Sequence, residues 1–334
     1  MPMEQPKFKV SIIVPCYNEE GTIQLLLDAV LKQDFSIKDL EVIIADALSQ
    51  DGTRDKITEF SKIHPQLSIK IVENPKRTIP AAINAAAAAA SGEYLVRLDA
   101  HSMPYPNYIT TCIRDLEDGK GENVGGAWEI KPGADTWIAR AIAAAAAHPL
   151  GVGDARYRYS TQTGEVDTVP FGSFRRDLFF RVGGFDEGLL TNEDYEFNVR
   201  LRKSGGKIWF DPTIRCIYFA RKNLKELSKQ YWRYGFWKLQ MLKRYPSTLR
   251  WRQALPPIFV LANIIGIIFA LFNRYIAHSY LFLLGIYLLI LFAASIREAM
   301  KKKEPALLLG LPAAIITMHF SWGLGFLFSA ITRQ

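Results

Sequence analysis

Asp99 and His101 stand one residue apart in the stretch YLVRLDAHSMP, after the apolar run Tyr94, Leu95, Val96 and Leu98 and inside a polar turn closed by Pro104. A carboxylate and an imidazole at this spacing can both ligate a divalent ion, and the same pair also occurs in loops that bind nothing. Two other apolar runs end in similar chemistry. Asn18, Glu19 and Glu20 follow the first, and Asp46 with LSQDGT follows the second. One carboxylate at a strand end is ordinary, but three ends bearing such groups describe a site. Farther on, Glu193 and Asp194 open a predicted helix of about 193–204, where negative charge also suits the positive end of the helix dipole.

The elements that must position these groups are legible from periodicity. KVSIIVPCYN, LEVIIADA, LSIKIVENP and GEYLVRLDA read as four short strands. Helical stretches near 22–33, 53–63 and 80–90 separate them, the last alanine-rich enough to form readily. Strands alternating with helices predict an α/β fold with a mostly parallel sheet covered on both faces, and ligands at the carboxyl ends of its strands. No Gly-x-Gly-x-x-Gly turn and no Walker sequence is present, which argues against a dinucleotide fold or a nucleoside triphosphatase. Past residue 120 the pattern loosens into added strands and loops around the 193–204 helix.

Charge divides the chain into three regions. Residues 1–199 carry 20 Lys or Arg against 29 Asp or Glu, whereas residues 200–253 carry 15 basic residues against only Asp211 and Glu226. Beyond 253 only eight charged side chains remain. An acidic body, a basic collar and an apolar tail predict a folded domain over 1–220, an interfacial helix region over 221–253 and transmembrane helices over 254–334. In the collar, Leu224, Leu227, Tyr231, Tyr234 and Met241 share one face of a predicted helix at 223–244, with Lys and Arg on the remainder. A nucleic-acid surface could use the same charge, but the adjoining tail favours membrane lipids and no nucleic acid.

Three tail segments, about 254–272, 279–296 and 305–330, have the length of a bilayer crossing. Arg250 and Arg252 precede the first, and Arg297 with Lys301, Lys302 and Lys303 separates the second from the third. The positive-inside rule then places the N-terminal domain in the cytoplasm of a multi-pass protein of the inner (plasma) membrane, with the C-terminus outside. No export signal is read at the start, and Cys16, Cys112 and Cys216 fit no Cys-x-x-Cys spacing, so free thiols in a reducing compartment are expected.

The ordered motifs SIIVPCYNE, EVIIADALSQDGT, NPKRTIPAAINAA, GEYLVRLDAH, PFGSFRRDLFFRVGGFDE and NEDYEFNVRLRKSGGKIWFDP resemble the inverting nucleotide-sugar glycosyltransferases of family two, which have the GT-A fold. Within that family, RTIPAAINAA with RLDAH and PFGSFRR is similar to the succinoglycan biosynthesis transferases of the ExoA type. The resemblance implies that Pro15, Tyr17, Asn18 and Glu19 border the nucleotide, and that Asp46 reads the uracil or its ribose. Asp51 either holds the base side of the pocket or only caps the helix after Gly52. Asp99 and His101 stand where the family usually has Asp-x-Asp, and would hold manganese or magnesium (Mn2+ or Mg2+) against the diphosphate. Asp194 matches the general base, and Arg77 could bind phosphate.

The resemblance also implies the reaction and partners. A hexose, glucose foremost, would pass with inversion from a UDP-sugar donor to a polyprenyl-linked saccharide acceptor in exopolysaccharide or cell-surface glycan synthesis, among possible partner glycosyltransferases. The alternative is a polyprenyl-phosphate hexose synthase using UDP-glucose or GDP-mannose. Two departures stand out: Ala47 and Leu48 replace the usual glycine and small residue, and QYWRYGFW supplies Gln230, Arg233 and Trp237 without the complete Gln-x-x-Arg-Trp of polymer synthases. Those three residues are expected to steer the lipid acceptor or the diphosphate.

Overall fold

A computed structural model describes residues 7–332. It divides into two compact units, one running to Glu129 and resuming over Tyr159–Tyr218, the other comprising Ile130–Arg158 and the described chain from Phe219 onward.

The first unit begins with strands and helices in alternation: β1 (Phe8–Cys16), α1 (Ile23–Leu31), β2 (Leu40–Asp46), α2 (Thr53–Ile63), β3 (Ser68–Glu73), α3 (Ile79–Ala89) and β4 (Gly92–Arg97). In β1, Val10, Ile12, Ile13 and Val14 are fully buried, as expected of a strand covered on both faces. Leu26 and Leu27 of α1 join them in the core, each burial stabilising by about 2 kcal/mol. β1 pairs in parallel with β2 and β4, and β2 in parallel with β3, so that Cys16 lies opposite Asp46 and Ile13 opposite Arg97.

Beyond β4 the sheet changes character. β5 (Met103–Pro104), α4 (Tyr108–Glu117), β6 (Asn123–Lys131), β7 (Gly164–Glu165), β8 (Ser173–Arg175), α7 (Arg176–Val182), α8 (Glu193–Lys203) and β9 (Ile208–Phe219) follow, α5 and α6 being in the second unit. The strand order among the described residues is β3-β2-β1-β4-β8-β6-β9-β5, with β7 on β9. β8 lies antiparallel to both β4 and β6, and β5 and β7 lie antiparallel to β9. The sheet is therefore mixed, correcting the expectation of a mostly parallel one. Parallel neighbours require long crossovers, and the regular helical crossovers end at β4. The short β8 instead enters between β4 and β6, against the direction of both.

The second unit contains α5 (Trp137–Ala146), α6 (Pro149–Val152), α9 (Leu224–Arg244), α10 (Trp251–Ala270), α11 (Arg274–Lys302) and α12 (Leu307–Ile331). The last three are long and apolar enough to cross a membrane. Their packing differs: 11% of the most apolar stretch is buried in α10 and in α11, against 50% in α12. α12 is covered because glycines let its neighbours approach. A Cβ on Gly235 of α9 would fall on the carbonyl oxygen of Trp322, and one on Gly325 of α12 would fall on that of Trp232. Hydrogen bonds from Ser321 to Ser228 (2.9 Å) and from Gln240 to Ser329 (2.9 Å) flank this crossing.

Candidate active site

The ends of β1 and β2 carry two loops stitched together by hydrogen bonds. The Asn18 amide donates to Ser49 Oγ (2.9 Å), and the Gln50 amide to Asn18 Oδ1 (2.9 Å). The Glu19 amide donates to Thr53 Oγ1 (2.8 Å), the Glu20 amide to Asp51 Oδ2 (3.2 Å), and the Gly52 amide to Glu20 Oε2 (3.1 Å). Asp51 Oδ1 accepts from the Thr53 amide (3.1 Å), so Asp51 turns the chain into α2 while joining the two loops. This pairing keeps both loops at the strand ends, where the parallel register of β1 and β2 has put them.

Asp46 is fully buried. Its carboxylate accepts from the Ser49 amide (3.1 Å) and hydroxyl and from Arg54 Nε (2.5 Å). In this conformation it shapes the second loop and exposes no surface to a ligand. Leu48 within that loop has a φ of 59°, a left-handed conformation costly for a leucine. Left-handed φ values also occur at Asn18 (53°), Arg77 (53°), Phe171 (49°) and Asn192 (67°), all in loops flanking the strand ends or α8. Backbone held in such sparsely populated conformations is concentrated at functional sites.

His101 and Glu19 meet, Nδ1 to Oε1, at 2.9 Å. Burial disfavours the charged Glu19, but the hydrogen bonds from His101 and Thr22 outweigh it and hold this carboxyl below its ordinary range. A carboxylate on one imidazole nitrogen fixes the ring as it does for metal-binding histidines. Among the described residues no group of three His, Cys, Asp or Glu is placed to hold a metal ion. By donor type alone, the carboxylate of Asp99 and the imidazole of His101 suit a divalent cation, manganese better than magnesium.

Asp99 is tied to a second acidic element by Arg97. Arg97 Nη2 lies 3.4 Å from Asp99 Oδ1 and 3.3 Å from Glu193 Oε1 at the start of α8. Arg97 and Glu193 are buried, and Asp194 beside them is partly exposed. Burial raises the carboxyls of both Glu193 and Asp194, Glu193 to about 7 with Asp194 as its second cause. The positive field of Arg97 opposes the rise at each. Asp194 Oδ1 accepts from the Tyr195 amide at 2.7 Å. The arrangement brings an Asp-x-His strand end and an acidic helix start to one buried guanidinium.

The remaining expected residues are distributed as follows. Pro15 is the β1 residue opposite Ala45. Tyr17, 46% exposed, has the Arg77 guanidinium 5.9 Å from its ring centre, so these two are brought together. Gln230, Arg233 and Trp237 stand on α9 in the second unit, where Gln230 donates to Tyr234 (3.0 Å) and Trp237 meets Phe236 edge-on. Residue patterns did not single out Ser49, Arg54 or Asn192. Asn192 carries one usable signal, since asparagine tolerates the left-handed conformation it adopts just before α8.

Residues 11–183 match the model of glycosyl transferase family 2. The chain belongs to this family. Two relatives match over nearly their full lengths. One is the dolichyl N-acetyl-alpha-D-glucosaminyl phosphate 3-beta-D-2,3-diacetamido-2,3-dideoxy-beta-D-glucuronosyltransferase of Methanococcus voltae, 29% identical and covering 95% of each chain. The other is the succinoglycan biosynthesis protein ExoA of Rhizobium meliloti, 29% identical over 94% of this chain and 93% of that one. Among solved structures, the mannosyltransferase PcManGT from Pyrobaculum calidifontis, in complex with GDP-Man and Mn2+, superposes with a TM-score of 0.65. It covers 95% of this chain and 88% of that one at 20% identity, a likeness of fold. The family-2 chain thus has a GT-A fold followed by three apolar helices of spanning length, and glycosyl transfer is its class of activity.

Proposed function

We propose that this family-2 transferase is a membrane-bound inverting enzyme that moves a hexose, glucose foremost, from a UDP-sugar to a polyprenyl-linked saccharide in exopolysaccharide or cell-surface glycan synthesis. The observation that carries the reading is the convergence of Asp99 and the acidic start of α8 on Arg97. It supports a donor diphosphate at the end of β4 and a proton acceptor across from it. The two relatives' names supply the acceptor class, one a dolichyl phosphate-linked sugar and the other succinoglycan synthesis.

In this reading Tyr17, Asn18, Glu19 and Arg77 border the nucleotide, with Pro15 ending the strand beneath them. Asp46 and Asp51 shape and join the two loops that would border the base, a role their hydrogen bonds support. Asp99 and His101 would hold manganese or magnesium, which when bound offsets the charge of the departing diphosphate. Asp194 accepts the proton of the attacking acceptor hydroxyl, and its place at a helix start aims it. One displacement inverts the anomeric centre, so an α-linked donor yields a β-linked product. Gln230, Arg233 and Trp237 are assigned to the lipid acceptor, and α9 to the membrane interface, with the catalytic unit on the cytoplasmic side.

The test is turnover by the full chain in nanodiscs. UDP-glucose and GDP-mannose are offered with lipid-linked saccharide extract and with bare polyprenyl phosphate, with manganese or chelator. Expected is chelator-sensitive transfer from UDP-glucose to the extract, reduced about 10²- to 10⁴-fold by Asp194→Asn. Transfer to bare polyprenyl phosphate instead would make the chain a polyprenyl-phosphate hexose synthase. Retained transfer in Asp194→Asn would remove the base assignment.

A further inference from the structure

Arg97 is an unusual residue to find at the centre of a sheet. It ends β4 opposite Ile13 of β1, and its amide donates to the Gly172 carbonyl (3.2 Å), so its backbone is held from both sides. Its side chain is only 6% exposed, with the Phe185 ring 5.8 Å away. A buried cation is costly unless paired, and truncating one partner of a buried pair is costlier still. Yet the pairing here is incomplete: Nη2 serves both Asp99 and Glu193, while Nε and Nη1 are buried without a hydrogen-bond partner among the described residues. A residue serving only stability is not expected to leave two buried donors unmatched. The fork is placed instead where it reaches both Asp99, two residues on, and Glu193, 96 residues on.

On the reading of the site given above, we propose that Arg97 is a positioning residue of the transfer reaction, holding Asp99 and the start of α8 in fixed relation so that the acceptor base faces the donor diphosphate. The guanidinium does this as a planar fork anchored in the sheet, one nitrogen shared between the two carboxylates. It also supplies the positive charge that allows Asp99, Glu193 and Asp194 to remain close together. Arg97 itself is shielded from substrate, so its removal acts through the relation of Asp99 to α8 and falls more on the chemical step than on donor binding.

The experiment compares Arg97→Lys, Arg97→Gln and the charge-balanced double variant Arg97→Gln/Glu193→Gln with the parent. Thermal melts establish folding, and kcat and donor KM are measured with UDP-glucose, GDP-mannose in parallel, and manganese. The folded double variant is expected to lose about 100-fold in kcat, with donor KM changed less than about threefold, and Arg97→Lys to regain at least about tenfold of that loss. A double variant with near-parental kcat would make Arg97 merely the counter-ion of Glu193, and one that cannot fold would assign Arg97 to stability; either result overturns the proposal. So would Arg97→Lys as inactive as the double variant. Asp99→Asn and Asp194→Asn run beside them: if either retains parental transfer, the site reading itself fails, whereas their loss with an unaffected Arg97 series refutes this inference alone.

Discussion

Neighbouring carboxylates at a helix start gain from the dipole, but Glu193 and Asp194 are also removed from much of the solvent, and burial dominates. The Glu193 carboxyl is raised from 4.5 to about 7, so the folded chain holds this proton more tightly than the unfolded chain. Its contribution to stability is fully present below the unfolded value and is lost as pH rises through about 7. The melting temperature of the parent should therefore fall between about pH 5 and pH 8, and that of Glu193→Gln should fall less; equal slopes would contradict the assignment. Leu48 offers a second test. Its left-handed φ of 59° is one that glycine adopts freely, so Leu48→Gly should be neutral or stabilising by up to about 1 kcal/mol, while β-branched Leu48→Val should destabilise by about 1–2 kcal/mol. Denaturant melts distinguish the two. Asp99 and His101 could be marked as candidates in the sequence from residue type and spacing, and Asp194 from the family resemblance. The pairing of Arg97 was not legible, because it depends on a meeting between β4 and α8 that no local pattern encodes.

At the scale of elements, periodicity located part of the first unit's helices: expected stretches at 53–63, 80–90 and 193–204 became Thr53–Ile63, Ile79–Ala89 and Glu193–Lys203, whereas α4 and α7 were not expected. β8 is three residues long, too short to show alternation, and its antiparallel insertion between β4 and β6 changes the sheet. The packing of α9 was half legible. Its amphipathic pattern marked a face to be covered, but the glycines that make the covering possible belong to two distant segments. Gly235 and Gly325 each face a carbonyl oxygen of the other helix, and a backbone atom cannot rotate away as a side chain can. Gly235→Leu or Gly325→Leu is therefore expected to destabilise by about 3 kcal/mol or more, with accelerated proteolysis within α9. Leucine at Gly285 of α11, where a Cβ meets nothing within 4 Å, should leave both readouts unchanged. Comparable proteolysis in all three variants would show that the crossing does not hold α9 in place.

For the whole molecule, burial and charge constrain different parts of the membrane topology. α10 and α11 leave most of their apolar surface uncovered, as lipid-facing helices do. α12 is half covered, with α5 residues at Gly310 and α9 residues at Gly325, and Trp232 and Phe236 of α9 packed around Phe328. The same α9 carries Lys225, Lys229, Arg233, Lys243 and Arg244, each costly at the bilayer centre. Its aromatic residues can meet α12 while these long side chains extend toward headgroups. The positive charges at Arg250, Arg252 and 301–303 favour cytoplasmic ends for α10 and α11, leaving α12 to cross outward. In a bacterial host, a phosphatase fused after residue 334 should accordingly be active and a fluorescent reporter at the same place dark, with the opposite result for fusions at the N-terminus. A fluorescent C-terminal fusion with inactive phosphatase would instead lay α12 beside α9 in the interface and leave α10 and α11 as a spanning hairpin. Replacing Lys301, Lys302 and Lys303 by glutamine discriminates further: if these charges fix the third crossing, the fraction of chains with an external C-terminus should fall, while an interfacial α12 would leave it unchanged.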